Sequence, residues 1–194
     1  MSRTTFQANL DYGHIGEEFA RRHIALLGHQ VVSIYASDKD KAPKVYVGAR
    51  MITAADLFFV DAKGRANWVE VKSKKKPGYR YSDPWRGFEH GVDLRHFDSD
   101  YREQASRALF WIVVREELTM PKGDTAWVPP PAPMGANGKK DYRDYERHLV
   151  PGPVWRAISF RDAERLGRRV DGWCGHKAGW LWPVSAMTRF TLLE

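Results

Sequence analysis

Residues 51–73 read MITAADLFFVDAKGRANWVEVKS, and this stretch decides the fold. Two β-branched and aromatic runs, 51–60 and 66–73, flank a short segment, 61–65, of turn-forming residues. This pattern predicts two strands that pair antiparallel as a β-hairpin.

Three side chains of the second run fall on one face of the predicted hairpin. Because side chains alternate across a strand, Trp68, Glu70 and Lys72 share a face, and Val69 and Val71 share the other. On the first run, Asp56 shares a face with four apolar residues: Ile52, Ala54, Phe58 and Val60.

A turn centred near Lys63 would place Asp56 directly opposite Glu70. Cross-strand neighbours have Cβ atoms about 5 Å apart, and two like charges at that distance destabilise a sheet unless something offsets them. One interpretation is that Asp56 is a strand-end charge and Glu70 with Lys72 a solvated ion pair. The apolar surroundings of both acids favour the other interpretation, a site for a divalent cation, because an unpaired buried charge is costly.

Composition bounds the class of protein. The chain has 194 residues, enough for one well-cored domain, and it shows no internal repeat. Its net charge of +7 favours a polyanionic partner, nucleic acid first. The longest apolar run is far short of the roughly 20 residues of a membrane span, and residues 1–7 do not resemble a signal peptide. We therefore expect a soluble, cytoplasmic protein without a membrane partner.

A single cysteine, Cys174, excludes an intrachain disulfide and a multi-cysteine metal site. Cys174 and His176 together would be a metal-ligand pair, but a buried or incidental thiol is the favoured interpretation.

Residues 15–27, IGEEFARRHIALL, have helical periodicity, and Gly28 follows as a C-terminal stop. Glu17 lies near the margin of the apolar arc, whereas Glu18 points into solvent. Glu17 is therefore the better candidate for a site carboxylate. The alternative is that Glu17 is a first-turn acid favoured by the helix dipole.

A second helix is expected at 98–108, with Ser99 or Asp100 as the N-cap. Tyr101 and Gln104 would share one face of it. Strands are expected at 30–36, 109–115, 154–160 and 180–184, loops at 37–44 and 79–95, a Pro/Gly-rich insertion at 119–153, and helices at 161–169 and 185–193.

Lys74, Lys75 and Lys76 form a basic turn after the second run of the hairpin. These lysines would suit phosphate binding beside Glu70, although a solvated charge run explains them equally well. Of the eight tryptophans, several lie in the last quarter of the chain. Base stacking is one role for them, and core packing is the favoured one.

The elements resemble the PD-(D/E)XK nuclease superfamily over residues 14–115. The motifs that carry the resemblance are GEEFA at 16–20, Asp56 after Ala55 in place of a proline, and Glu70-Val71-Lys72. The resemblance implies a restriction endonuclease-like αβββαβ core with a mixed central sheet flanked by helices, and a C-terminal α/β elaboration at 154–194.

By that resemblance Asp56, Glu70 and the backbone carbonyl of Val71 would bind Mg²⁺, and Glu17 would complete the metal or water network. Lys72 would orient or activate the attacking water. Gln104 resembles a polar site residue that members of the superfamily carry on the second helix, and Tyr101 is the alternative for that position. We also expect Tyr101 to contact nucleic acid. His96 would join this group, although an exposed loop histidine is the safer interpretation.

Hard carboxylate ligands without His or Cys favour Mg²⁺, with Mn²⁺ as a substitute, over Zn²⁺. The sequence therefore predicts a Mg²⁺-dependent nuclease that acts on DNA, an endonuclease rather than an exonuclease. Two alternatives stay open: a non-catalytic nucleic-acid-binding subunit that keeps the fold, and a nuclease that acts on RNA. The sequence also leaves open whether the protein is a homodimer.

Overall fold

The computed structural model describes residues 3–34, 44–81, 83–121, 124–173 and 177–190. This part of the chain is mixed α/β with few helices. The α-helices are α1 (Arg3–Leu26), α2 (Arg102–Ala105) and α3 (Phe160–Leu166). The strands are β1 (Gln30–Ser33), β2 (Lys44–Val47), β3 (Arg50–Thr53), β4 (Leu57–Val60), β5 (Ala66–Lys74), β6 (Gly78–Arg80), β7 (Gly87–Asp93), β8 (Leu109–Thr119), β9 (Val150–Ser159), β10 (Arg168–Trp173), β11 (Lys177–Pro183) and β12 (Thr188–Arg189).

The central sheet is mixed and has the strand order β1-β4-β5-β8-β9-β12. Strands β4 and β5 pair antiparallel, whereas β5 and β8 pair parallel. The remaining neighbours in this sheet are antiparallel. The parallel pair requires a crossover, and the chain makes it through β6, β7 and α2.

The predicted hairpin is confirmed, but its first arm is shorter than expected. Residues 51–60 do not form one strand, because the arm divides into β3 and β4 at Ala54-Ala55-Asp56. Strand β3 leaves the central sheet and pairs with β2 as a separate two-stranded sheet. Two backbone groups at the break form hydrogen bonds outside the hairpin. Ile34 N–H donates to the Asp56 carbonyl at 3.0 Å, and Ala55 N–H donates to the Gln104 side chain.

Helix α1 covers one face of the central sheet. Ala20 and Ile24 are fully buried and pack in one cluster with Leu57 and Val69 of the hairpin. The helix ends as predicted, before Gly28, which adopts a φ of 87°. The helix begins at Arg3, twelve residues before the expected start at residue 15. Apolar residues are too sparse between residues 3 and 14 for the sequence to show a helical period there.

The other face is covered by the segment that leads into β8. A π-helical segment, His96–Tyr101, continues into α2 and replaces the α-helix expected at 98–108. Neither Ser99 nor Asp100 is an N-cap, since both lie inside the π-helical segment. Phe97 and Tyr101 are buried in a core cluster with Phe110 and Ile112 of β8.

A second, four-stranded sheet has the order β10-β11-β7-β6, and it corrects two expectations. Residues 79–95 are not a loop, because they contain most of β6 and all of β7. The helix expected at 161–169 ends at Leu166, and Arg168 begins β10. Gly91 permits close strand approach here, since a Cβ at that position would lie 2.7 Å from the Trp180 carbonyl oxygen.

The C-terminal helix expected at 185–193 is also wrong over the described residues. Strand β11 ends at Pro183. A 3₁₀ turn, Val184–Ala186, comes next, and β12 then pairs with β9.

The predicted insertion at 119–153 is largely irregular, with a 3₁₀ helix, Asp144–His148, and the start of β9 at Val150. Tyr145 anchors it, because its ring is buried and its hydroxyl donates to the Pro77 carbonyl at 3.1 Å.

Most tryptophans pack in or against the cores, as the sequence favoured. Trp182 is 1% exposed, and Trp155 and Trp180 are half-buried. Trp85 differs, because 46% of it is exposed.

Candidate active site

The hairpin register places Asp56 opposite Glu70. Leu57 pairs with Val69 and Val60 with Ala66, so the pairing is centred on Lys63, and one further step aligns Asp56 with Glu70. The turn is closed by Asp61, whose carboxylate accepts from the Lys63 and Arg65 backbone N–H groups. The turn chemistry therefore determines which two acids meet.

The Asp56 carboxylate lies in an apolar setting with excess negative charge. Its Oδ2 accepts the Val71 backbone N–H at 2.6 Å, at the point where β4 no longer supplies a backbone acceptor. Burial raises the pKa of Asp56 well above its ordinary value, and the negative charges of Glu70 and Glu17 add to the rise. Lys72 opposes the shift without cancelling it.

Glu70 is held by two donors that share one of its carboxylate oxygens. Its Oε1 accepts the Tyr101 hydroxyl at 2.7 Å and pairs with the Lys72 ammonium. This contact confirms that Glu70 and Lys72 share a face of β5. Lys72 is one-third exposed, so its charge lies at the boundary between the buried acids and solvent.

Tyr101 does not lie where a nucleic-acid contact was expected. It is 4% exposed, and its ring packs against Phe110 at 5.0 Å between centroids. Burial and the adjacent Glu70 charge raise the pKa of Tyr101 well above its ordinary value, so the phenol stays a donor. Tyr101 therefore orients Glu70 through this buried hydrogen bond.

Gln104 supports the site through the backbone rather than by reaching it. Its Oε1 accepts from Ala55 N–H at 3.0 Å, and its Nε2 donates to the carbonyls of Thr53 and Asp100 at 3.1 and 2.9 Å. The amide thus bridges the strand break that precedes Asp56. Tyr101 and Gln104 lie on one face of the helical segment, as the spacing predicted.

Glu17 reaches the same group of charges from α1. Burial raises the pKa of Glu17, and Glu70 raises it further, while His14 and Lys72 lower it. The preceding Gly16 brings α1 close to β5, because a Cβ there would lie 2.6 Å from the Ser73 hydroxyl. Glu18 points away, as predicted, and pairs with Arg21 at 2.7 Å and Arg22 at 2.6 Å.

The three lysines after Lys72 differ in their surroundings. Lys75 is exposed, Lys74 is half-buried, and Lys76 forms an ion pair with Glu146 of the insertion. Phosphate binding by this turn stays a prediction.

His96 is not in an exposed loop. It begins the π-helical segment, is half-buried, and lies 3.0 Å from the Asp100 carboxylate. Cys174 and His176 lie outside the described residues.

The sequence gives little sign of a second buried ionic cluster, formed by His90, Glu116 and Arg156. His90 Nε2 lies 2.7 Å and Arg156 Nε 3.3 Å from Glu116 Oε1. Burial alone would raise the pKa of Glu116, but the His90 and Arg156 contacts leave it below its ordinary value. Glu116 lies in the charged stretch Arg115-Glu116-Glu117 that follows the apolar run from residue 109, so the sequence marks it as polar rather than buried.

The buried carboxylates of this site suit a hard divalent cation, but the described residues do not supply a full set of protein ligands for one. Asp56 and Glu70 are each 6% exposed, and the pKa of Asp56 is raised first by burial and then by the negative charges of Glu70 and Glu17. Within the ranges that the structure describes, no three His, Cys, Asp or Glu side chains form a metal-holding group. A cation here would use the two carboxylates, with further ligands from backbone, water or substrate.

No family model, curated protein or solved structure gives a significant match to this chain. Among the described helices, none is long and apolar enough to cross a membrane.

Proposed function

We propose that this protein is a Mg²⁺-dependent nuclease that hydrolyses phosphodiester bonds in DNA. The observation that carries the proposal is the buried pair Asp56 and Glu70, placed opposite each other with Lys72 on the same face. Two acids in such a position destabilise the fold unless a cation joins them. A site that is unfavourable for stability is expected where the residues serve chemistry.

The topology supports a restriction endonuclease-like core. Without the β2–β3 excursion and the β6–β7 strands, the first part of the chain runs helix, three antiparallel strands, helix, strand. The last strand, β8, is parallel to β5. Both features agree with the αβββαβ order that the sequence resemblance implies.

Each residue has a separate task in the proposed reaction. Asp56 and Glu70 would hold Mg²⁺, which supplies a water of lowered pKa and neutralises charge that develops on the phosphate. Tyr101 and Lys72 fix the orientation of Glu70 through its Oε1. Lys72, at the solvent boundary, would stabilise negative charge on the attacking water or the phosphate. Glu17 would accept a hydrogen bond from a water at this edge of the site.

The substrate class is inferred from charge. The net charge of +7 favours a polyanion, and Lys75 is exposed on the turn after Lys72. We favour endonucleolytic cleavage of DNA. Parallel assays on DNA and RNA of matched sequence would distinguish this activity from that of a ribonuclease.

The test is cleavage of linear, circular, single-stranded and branched DNA with Mg²⁺ or Mn²⁺ and with EDTA. We expect cleavage to need the metal and to fall by about a thousandfold or more in Glu70→Gln and Lys72→Ala, since electrostatic stabilisation of this kind is worth about 4 kcal/mol. Lys63→Ala, at the exposed tip of the same hairpin, should retain activity.

Undiminished cleavage by Lys72→Ala would overturn the mechanism. DNA binding without cleavage under either metal would favour the alternative of a non-catalytic binding subunit. That alternative also agrees with the absence, among the described residues, of three His, Cys, Asp or Glu side chains grouped closely enough to hold a metal ion.

A further inference from the structure

His96 and Asp100 form a side-chain pair that the proposed hydrolysis does not use. His96 Nδ1 lies 3.0 Å from Asp100 Oδ2. The His96 side chain is 37% exposed and that of Asp100 15%, so the imidazole reaches solvent while its partner is largely covered. Pairs four residues apart on a helical segment can serve stability alone. The surroundings of this pair indicate a further role.

A stacking contact places His96 beside one acid of the candidate site. The His96 ring stacks on the Tyr101 ring, with 6.3 Å between the centroids and 22° between the planes. The Tyr101 hydroxyl donates to Glu70 at 2.7 Å. A single tyrosine ring therefore separates the imidazole from the Glu70 carboxylate.

Asp100 is connected to the other acid through Gln104. Gln104 Nε2 donates to the Asp100 carbonyl at 2.9 Å, and Gln104 Oε1 accepts from Ala55 N–H at 3.0 Å. Ala55 immediately precedes Asp56 in the chain. The same amide therefore holds the Asp100 backbone against the strand break that presents Asp56.

The second ring nitrogen of His96 is open to a ligand. Its Nε2 has no hydrogen-bond partner among the described residues, and it is not one of their enclosed nitrogens. An imidazole that has one nitrogen held by a carboxylate and the other accessible is oriented for proton transfer. Histidine is also the side chain that exchanges a proton near neutral pH.

The leaving oxygen is the part of the proposed reaction that still lacks a proton donor. Hydrolysis of a phosphodiester expels an alkoxide, and the roles proposed for Lys72 and Glu17 concern the attacking water and the phosphate. We propose that His96, oriented by Asp100, is the catalytic acid that protonates the leaving oxygen. The inference rests on the proposed function, because it adds a residue to the same reaction.

The proposed step balances in atoms and electrons. The water oxygen forms a bond to phosphorus, and the bond between phosphorus and the leaving oxygen breaks with its electron pair on that oxygen. The leaving oxygen takes the Nε2 proton of the imidazolium and becomes a hydroxyl. The attacking water releases a proton to solvent, and the neutral imidazole regains one from solvent, so the protein returns to its starting state.

The test replaces the leaving oxygen by sulfur. The probe is a DNA strand that the wild-type protein cleaves, synthesised with sulfur as the 3′ or as the 5′ bridging atom at the cleaved linkage. His96→Gln should slow single-turnover cleavage of the all-oxygen strand about a hundredfold, as expected for loss of a general acid. A thiol has a pKa of about 8.5 and leaves without protonation, so the loss should shrink to about threefold or less with one of the sulfur strands.

Two variants serve as controls for this comparison. His148 lies 3.8 Å from Asp144 in the insertion, and the exposed fractions of this pair, 40% and 12%, match those of His96 and Asp100. His148→Gln should therefore cleave every strand at the wild-type rate. Lys72→Ala should lose activity on the oxygen and the sulfur strands alike, because its proposed role does not depend on the leaving atom.

Asp100→Asn separates orientation of the imidazole from folding. It should slow cleavage of the oxygen strand severalfold and leave the sulfur strand that rescues His96→Gln nearly unaffected. The urea midpoints of Asp100→Asn, His96→Gln and His148→Gln should all stay close to that of the wild type, because partly exposed pairs add little stability.

The outcomes distinguish this inference from the proposed function. Metal-dependent cleavage that is unchanged in His96→Gln would leave the nuclease standing and overturn the role of His96. An equal loss on the oxygen strand and both sulfur strands would overturn it too, since the effect would then not involve the leaving atom. No cleavage of any strand by the wild type with Mg²⁺ or Mn²⁺ would refute the proposed function, and the role of His96 with it.

Discussion

Two buried acids on neighbouring strands have opposite electrostatic surroundings. Glu70 on β5 and Glu116 on β8 project from the same face of the central sheet, and the register separates them by four residues, about 13 Å. Glu116 has Arg156 and His90 as partners, whereas Asp56, Glu70 and Glu17 share the charge of Lys72.

The difference suggests a way to distinguish a structural acid from a candidate functional one. The pKa of Glu116 lies below its ordinary value because its neighbours favour the ionised form. The pKa of Asp56 lies above its ordinary value because burial and like charges oppose ionisation. In the first cluster the acid has a buried cation of its own, Arg156, whereas in the second Lys72 only partly opposes the effects of burial and like charges.

Breaking the balanced cluster should give the largest change in stability. Glu116→Gln removes the charge that compensates Arg156, whose side chain is 4% exposed. Loss of one partner of a buried ion pair costs about 3–5 kcal/mol, and urea unfolding would measure it. Cleavage per folded molecule should stay at the wild-type level.

The control for that experiment is Glu117→Gln, one residue along the same strand. Glu117 is partly exposed and pairs with Arg115 at 3.4 Å, so its loss should cost no more than about 1 kcal/mol. Equal losses in the two variants would refute the distinction between the clusters.

Tyr101→Phe tests the orientation of Glu70. The ring packing is retained, but the hydrogen bond to a charged acceptor, worth about 1.5–3 kcal/mol, is lost. We expect kcat for DNA cleavage to fall roughly tenfold to a hundredfold with KM little changed. Tyr145→Phe, which removes a buried hydroxyl that donates to the Pro77 carbonyl, should leave kcat unchanged. Full activity in Tyr101→Phe would remove this residue from the site.

Addition of Mg²⁺ should stabilise the wild-type protein and not Asp56→Asn. A ligand at ten times its Kd adds about 1.4 kcal/mol to the free energy of unfolding, which a thermal melt detects as a rise in Tm. Glu18→Gln should keep the full rise, because Glu18 pairs with Arg21 and Arg22 away from the site. An equal rise in Asp56→Asn would place the cation elsewhere.

The smallest effect concerns pH and His90. Burial lowers the pKa of His90 below its ordinary 6.5, so the unfolded chain binds the extra proton first as pH falls. Stability should therefore decrease as pH falls from 6.5 toward the folded pKa, by at most about 1.4 kcal/mol per pH unit. His90→Gln should flatten this part of the stability profile measured by urea unfolding at several pH values. A profile as steep as that of the wild type would show that His90 is not the group that titrates.

The hairpin site was predictable because its determinants are local. Alternation assigns Glu70 and Lys72 to one face, and the turn at Asp61 sets the register that brings Asp56 opposite Glu70. The contact between Tyr101 and Glu70 was not predictable in this way, because the residues are 31 apart in the chain. Their meeting depends on how a helix docks on the sheet.

Strand β7 is hard to predict for a different reason. Phe88, His90 and Val92 alternate as in a buried strand, but a histidine at the central position reads as polar. Its burial depends on Glu116 and Arg156, which come from β8 and β9. When a polar residue is buried by partners that are distant in the chain, the sequence no longer shows the alternation of apolar and polar residues that reveals a strand.

The π-helical winding of His96–Tyr101 has a consequence for insertions and deletions. A π-helix takes about one residue more per turn than an α-helix, so rewinding this segment as α would rotate helix α2 by about 100°. Tyr101 and Gln104 would then turn away from the hairpin together. The length and the π-helical winding of this segment together set the rotational phase of both residues, and a one-residue insertion there would misalign Glu70 and the Asp56 backbone in a single step.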